Sequence, residues 1–126
     1  MLIPKKEIVK FVLKDVLKKQ KIRSQTRLAG ILEEKLRQTE KQYSITPERA
    51  RMIAMETSGV RVRIRTKKGR QPKRCPACSH KLKRIYTRNL RGRKVLISLR
   101  CTKCSYAGSG KKWTPSRYEF EVGTSD

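Results

Sequence analysis

The chain has 126 residues and carries 34 Lys and Arg against 10 Asp and Glu, a formal net charge of +24. That length allows one domain or two very small ones, and self-repulsion on this scale implies an acidic, multivalent partner. Lysines recur every few residues in "MLIPKKEIVKFVLKDVLKK", which excludes an uninterrupted apolar signal segment or membrane span there, so an intracellular, cytoplasmic protein is expected.

Three helical patterns come first. Pro4 suits a first-turn position, and Ile8, Phe11, Val12 and Val16 form a stripe at helical spacing through about residue 19. That lysine-rich amphipathic helix could lie on an acidic membrane, but its apolar positions are read as one side of a small core. Ser24 can cap a second helix, in which Leu28, Ile31, Leu32 and Leu36 share a face. Gly30 within it lowers helix propensity by about 1 kcal/mol relative to alanine, and is expected to allow a close helix crossing. Thr46 as N-cap, Pro47 at the first position and Glu48 near the positive helix end start a third helix, with Ala50, Ile53 and Ala54 on its apolar face. Arg49, Arg51 and Met52 lie off that face.

A strand follows at once. Val60, Val62 and Ile64 alternate with Arg61, Arg63 and Arg65, a period of two that separates aliphatic from guanidinium side chains. Helix, helix, helix, strand and a basic turn, "TKKGR", resemble a winged helix-turn-helix over residues 4 to about 72. The loop "RQTEKQYSI" is longer than the tight turn of that layout, and the second wing strand would have to return from "RYEFEV" at 117–122.

From Gln71 the composition shifts. "KLKRIYTR" (81–88), a turn at "NLRGRK" and "KVLISLRC" (94–101) read as a β-hairpin. Cys75, Cys78, Cys101 and Cys104 form two C-x2-C pairs, one on each side of it. Each pair aims two thiolates at one point, and a hairpin that returns to its starting end completes a tetrahedron suited to one structural Zn2+. Disulfides would be reduced in a cytosolic protein, and a thioredoxin-type site needs one such pair on a βαβ unit. "CPAC" and "CTKC" resemble the knuckles of a zinc ribbon, a module common in ribosomal proteins, transcription factors and RNA polymerase subunits. That family commonly has glycine after each knuckle, where this chain has Ser79 and Ser105; serine is strained at either position if the backbone needs positive φ. The expected fold is therefore α+β: a winged-helix-like three-helix domain over 1–70, then a zinc ribbon, hairpin plus third strand, over 71–126.

His80, the sole histidine, is expected on the surface rather than on the metal. Four sulfurs leave no open position for a catalytic water, and no general acid–base pair accompanies them, so an enzyme is not expected. Tyr86, Tyr106, Trp113, Tyr118 and Phe120 lie among basic residues. They can stack on unpaired bases or fill the ribbon's thin core. Phe120 is expected in the core, with Tyr86 and Trp113 the candidates for stacking.

The charge is uneven. Residues 57–118 hold 20 basic side chains and no acid, whereas a solubilising surface mixes both signs. Nucleic acid is the partner this asymmetry implies, ahead of acidic membranes or acidic proteins. The phosphate-facing candidates are Arg61, Arg63, Arg65, Lys67, Lys68, Arg70, Lys73, Arg74, Lys81, Lys83, Arg84, Arg88, Arg91, Arg93 and Lys94, with Arg49 and Arg51 on the third helix. Those two are a thin set for reading bases, and charge that covers wing, linker and ribbon alike suits a protein embedded in folded RNA. In size, charge and ribbon the chain resembles small basic archaeal ribosomal and ribosome-associated proteins. The resemblance implies ribosomal RNA as ligand, with ribosomal proteins as neighbours. The alternative is a DNA-binding transcription or chromatin factor, and a third reading is a protein-bridging role.

Overall fold

The structure is a computed structural model that describes residues 2–123. Its elements run α1 (Lys6–Lys19), α2 (Gln25–Leu36), α3 (Pro47–Glu56), β1 (Val60–Lys68), β2 (Leu82–Arg88), β3 (Lys94–Cys101), β4 (Ala107–Ser109) and β5 (Lys112–Val122). The strands form one antiparallel sheet in the order β1-β5-β4-β3-β2, so the class is α+β. β5 lies beside β1, the position expected for a strand returning from the C-terminal segment. The sequence reading places one boundary at 70/71; by compactness the chain divides after Arg63 and again after Ser116. One unit thus joins the helices and the start of β1 to the end of β5, and the other spans Ile64–Ser116. No described helix is long and apolar enough to cross a membrane.

The helical unit is built as its caps dictate. Ser24 Oγ accepts the Arg27 N–H at 3.3 Å, and Thr46 Oγ1 accepts the Arg49 N–H at 3.1 Å, with Pro47 in the first turn of α3. Each bond satisfies an amide that the helix itself cannot. Leu28, Leu32 and Leu36 of α2 and Ala50, Ile53 and Ala54 of α3 are buried as expected, with Ile31 half-buried. Ile22 and Phe120 exchange both backbone hydrogen bonds, at 3.0 and 2.7 Å, which ties the loop after α1 to β5.

Three expectations for the helices are corrected. Pro4 is not in the first turn of α1: it precedes the N-cap, Lys5, and is buried with its carbonyl accepting from Arg49. The buried stripe of α1 is Val9, Leu13, Val16 and Leu17, whereas Ile8 and Phe11 are exposed and Val12 is half-buried. The helix is apolar around much of its circumference, so two stripes one residue out of phase compete, and the one with the two leucines packs inward. Gly30 faces open space, with nothing within 4 Å of a Cβ built on it, so it mediates no close crossing. Replacing Gly30 by Ala will therefore raise unfolding free energy by about 1 kcal/mol, through helix propensity alone. Urea denaturation checks this, and an unchanged or lowered midpoint would count against it.

In the second unit β2 and β3 pair from Leu82↔Cys101 to Arg88↔Lys94, with a bulge beside Ile85 and Tyr86. Their turn is fixed by Asn89, whose side-chain oxygen accepts the N–H groups of Arg91 (2.9 Å) and Arg93 (3.0 Å). Gly92 closes it at φ 77°, a left-handed conformation natural to glycine. The glycine-rich segment "AGSGKK" forms β4 and the turn into β5. Trp113 is buried, 8 % exposed, and so belongs to the core rather than to a stacking surface. The Tyr106 hydroxyl donates to the Trp113 carbonyl at 2.6 Å. Gly108 lies under both residues: a Cβ there would stand 2.7 Å from the Trp113 ring and 2.7 Å from the Tyr106 hydroxyl.

Candidate metal centre and basic surface

The two C-x2-C segments have matching backbones. The Cys75 N–H donates to the carbonyl of His80 (2.9 Å), and the Cys101 N–H donates to that of Tyr106 (3.0 Å), the same offset in each. Sulfur acceptance repeats as well. Ala77 and Cys78 N–H groups reach Cys75 Sγ; Lys103 and Cys104 N–H groups reach Cys101 Sγ, at 3.3 Å each. The hairpin brings the segments together, with Thr102 donating back to the Lys81 carbonyl.

The four Sγ atoms lie within 4.8 Å of one another, with Cys75–Cys104 at 3.5 Å and Cys78–Cys101 at 3.4 Å. A tetrahedral metal with bonds of about 2.3 Å to sulfur needs sulfurs about 3.8 Å apart, so the cluster fits such an ion. Without a cation, burial pushes the Cys75 thiol up to about 11 and Cys104 well above the usual thiol range. Burial also opposes ionisation of Cys101, but the N–H groups of Cys104 and Lys103 outweigh it and bring this thiol down to about 7. A divalent ion would supply the charge that lets all four ionise together. His80 is exposed and outside the cluster, its Nδ1 3.1 Å from the Cys78 carbonyl.

Ser79 follows the first knuckle at φ 67°, the one non-glycine residue at positive φ among those described; Ser105 is not in that region. The strain anticipated from glycine's absence is thus present at one knuckle. Ser79→Gly will remove about 1 kcal/mol of it. Metal affinity in chelator competition should rise by several-fold, and an affinity that falls or stays fixed would show that the serine is not strained.

β1 presents its arginines as the alternation predicts: Val62 is buried while Arg61, Arg63 and Arg65 are exposed. Two of them have an acidic neighbour within the chain. Glu121 on β5 lies 3.8 Å from Arg61, 3.5 Å from Arg63 and 3.6 Å from Lys21, one carboxylate among three cations. At these distances and exposures each pair contributes little to stability, but local charge remains positive. The sequence reading did not pair Glu121; the signal was its alternation with Tyr118 and Phe120, which places it on the face opposite those rings.

Of the seventeen basic candidates, fifteen are exposed; Arg49 and Arg51 are half-buried. Arg49 donates to the Pro4 carbonyl at 3.1 Å, and Arg51 donates to Gln25 at 3.1 Å with its guanidinium 4.8 Å from the Tyr118 ring centre. These two brace the helices and are not extended toward solvent. In the other unit Lys67, Lys68, Arg70, Lys73, Arg74, Lys81, Lys83, Arg84, Arg88, Arg91, Arg93 and Lys94 are exposed. Tyr86 is 41 % exposed, with the Lys94 ammonium 4.3 Å from its ring centre. Tyr106, Tyr118 and Phe120 are buried.

Set against known protein families, curated proteins and solved structures, the chain matches none. The functional reading therefore stands on the residues.

Proposed function

We propose that this is a nucleic-acid-binding zinc protein that holds structured, ribosomal-type RNA through phosphate contacts, and that it has no catalytic role. In this reading α1–α3 with β1 and the end of β5 act as a winged-helix-like half, and Cys75, Cys78, Cys101 and Cys104 hold one Zn2+ in a ribbon. Sulfur-only donors in a closed set of four favour zinc in a structural role over harder cations. The ion would supply no reaction; it would fix both knuckles and the hairpin between them.

One observation carries the reading. Fifteen basic side chains stand exposed along β1, the linker and the hairpin, in a stretch with no acid from residue 57 to 118. Each phosphate neutralised there releases counterions, and arginine forks fix orientation without reading sequence. The internal bonds of Arg49 and Arg51 support the RNA reading further, because they leave α3 without free basic side chains for base edges. The placement of β5 beside β1 directly after α3 favours a second reading, a DNA-binding transcription or chromatin factor with a wing.

Ultraviolet crosslinking in cell extract, followed by identification of the attached nucleic acid, separates the two. Crosslinks to ribosomal RNA and co-sedimentation with ribosomal subunits are expected. Recovery with chromatin, and competition by specific duplex DNA better than by ribosomal RNA, would overturn the RNA reading in favour of the second.

A further inference from the structure

The tip of the β2–β3 hairpin exposes a leucine completely. Leu90 is 108 % exposed, the largest value among the exposed large apolar residues. It does not shape the turn, whose form is set by its neighbours: Asn89 accepts two backbone N–H groups, and the Arg88 guanidinium donates to the Gly92 carbonyl at 2.8 Å. Nor does it contribute to the core. These bonds order the backbone of a turn that presents a side chain water disfavours, so less backbone entropy is lost when the tip is buried elsewhere. Arg88, Arg91, Arg93 and Lys94 lie close to it along the chain, and no acid is near in sequence. Farther along the same hairpin Tyr86, Val95 and Ile97 are also exposed, at 41 %, 39 % and 44 %.

An apolar apex in a stretch of exposed cations suits a polyanion with an apolar interior that can be entered between its charged edges. Nucleic acid has that construction, with phosphates outside and base faces within. Wedges of this kind enter where stacking is already interrupted, because there unstacking costs least. We propose that Leu90 is a wedge that enters a bulge or loop in an RNA helix, while Arg88, Arg91 and Arg93 hold the flanking phosphates and Tyr86 offers a ring for an unstacked base. This rests on the RNA reading above and deepens it: the ligand is an interrupted helix, not a continuous one.

The test uses the full, zinc-loaded chain and two RNA hairpins of equal length and charge. One has a continuous stem; the other carries a single 2-aminopurine bulge. The wild type should bind the bulged RNA at least about ten-fold more tightly, since burying a whole leucine side chain is worth that ratio or more, and 2-aminopurine emission should change on binding. Leu90→Ser should bring the two affinities to within about two-fold, with the continuous stem bound as before and an unaltered salt slope. As Leu90 is wholly exposed, the variant should fold and keep its metal, which zinc content and circular dichroism check. Equal wild-type affinity for the two RNAs, or a preference that survives in the variant, overturns the wedge alone. Failure to bind either RNA overturns the RNA reading and the wedge with it.

Discussion

Removing the proposed zinc with a chelator will unfold residues 64–116 and leave the helices largely formed. The two units differ in what else holds them. Among the described residues, the helical unit buries sixteen apolar side chains besides Pro4, including Leu13, Leu28, Leu32 and Leu36 at 0–1 % exposure, Ile53 and Phe120. The other buries five: Cys75, Ala77, Leu99, Tyr106 and Trp113. So small a core does not stabilise a domain of about fifty residues alone, whereas a structural zinc site contributes on the order of 10 kcal/mol or more at neutral pH. The chain's single tryptophan reports the event. Trp113 is packed against Gly108 and bonded to Tyr106, whose own N–H donates to Cys104 Sγ at 3.5 Å. Its emission should shift to the red on chelation, while most of the helical circular dichroism persists. Cys75→Ser should reproduce the shift without chelator. Unchanged emission in metal-free protein, or collapse of the helices along with residues 64–116, would refute this division of stability.

Under the proposed function, replacing Arg61, Arg63 and Arg65 together by Gln will weaken RNA binding by roughly 100-fold near 0.1 M salt, taking at least about 1 kcal/mol for each charged contact. The logarithmic salt dependence should become shallower by about two to three, and affinity should fall alike for every RNA sequence. Loss confined to one sequence would make these residues base readers and defeat the account of β1 as a phosphate strip. Glu121→Gln should act in the opposite direction. Its carboxylate lies among Lys21, Arg61 and Arg63, where an RNA phosphate would compete with it. Removing that charge should tighten binding by several-fold and steepen the salt dependence, and the gain should shrink when Arg61 and Arg63 are already Gln.

What the sequence makes legible is what neighbouring residues decide among themselves. Ser24 and Thr46 cap because an N-cap needs only the amide three residues on. The β1 alternation follows from period two and the β2–β3 hairpin from two strand-like runs around a Gly-containing turn, though not the bulge beside Ile85 and Tyr86; the cysteine cluster follows from spacing plus that hairpin. Decisions made over long separations are hidden. Arg49 and Arg51 look like helix-surface cations until the chain delivers Pro4, Gln25 and Tyr118 to them. The phase of α1 could not be chosen from its own residues, since Ile8–Phe11 and Val9–Leu13 are both acceptable stripes. β4 is three residues, Ala-Gly-Ser, with no apolar alternation to mark it. Glu121 escaped notice because its partners lie on β1 and near Ile22, far away along the chain.

The crowding over Gly108 has an evolutionary corollary. Its backbone is not in a conformation that demands glycine; the demand comes from the Trp113 ring and the Tyr106 hydroxyl, each 2.7 Å from where a methyl group would stand. Substitution there is closed to drift unless the tryptophan or the tyrosine changes first, so positions 106, 108 and 113 form a unit of inheritance in which any tolerated exchange is joint. Gly30 has no such neighbours and is open to replacement in any lineage. Divergent descendants of this chain should therefore vary at 30 while keeping the tyrosine, glycine and tryptophan together, and the C-terminal half should accept new surface charges more readily than one new carbon beneath that ring.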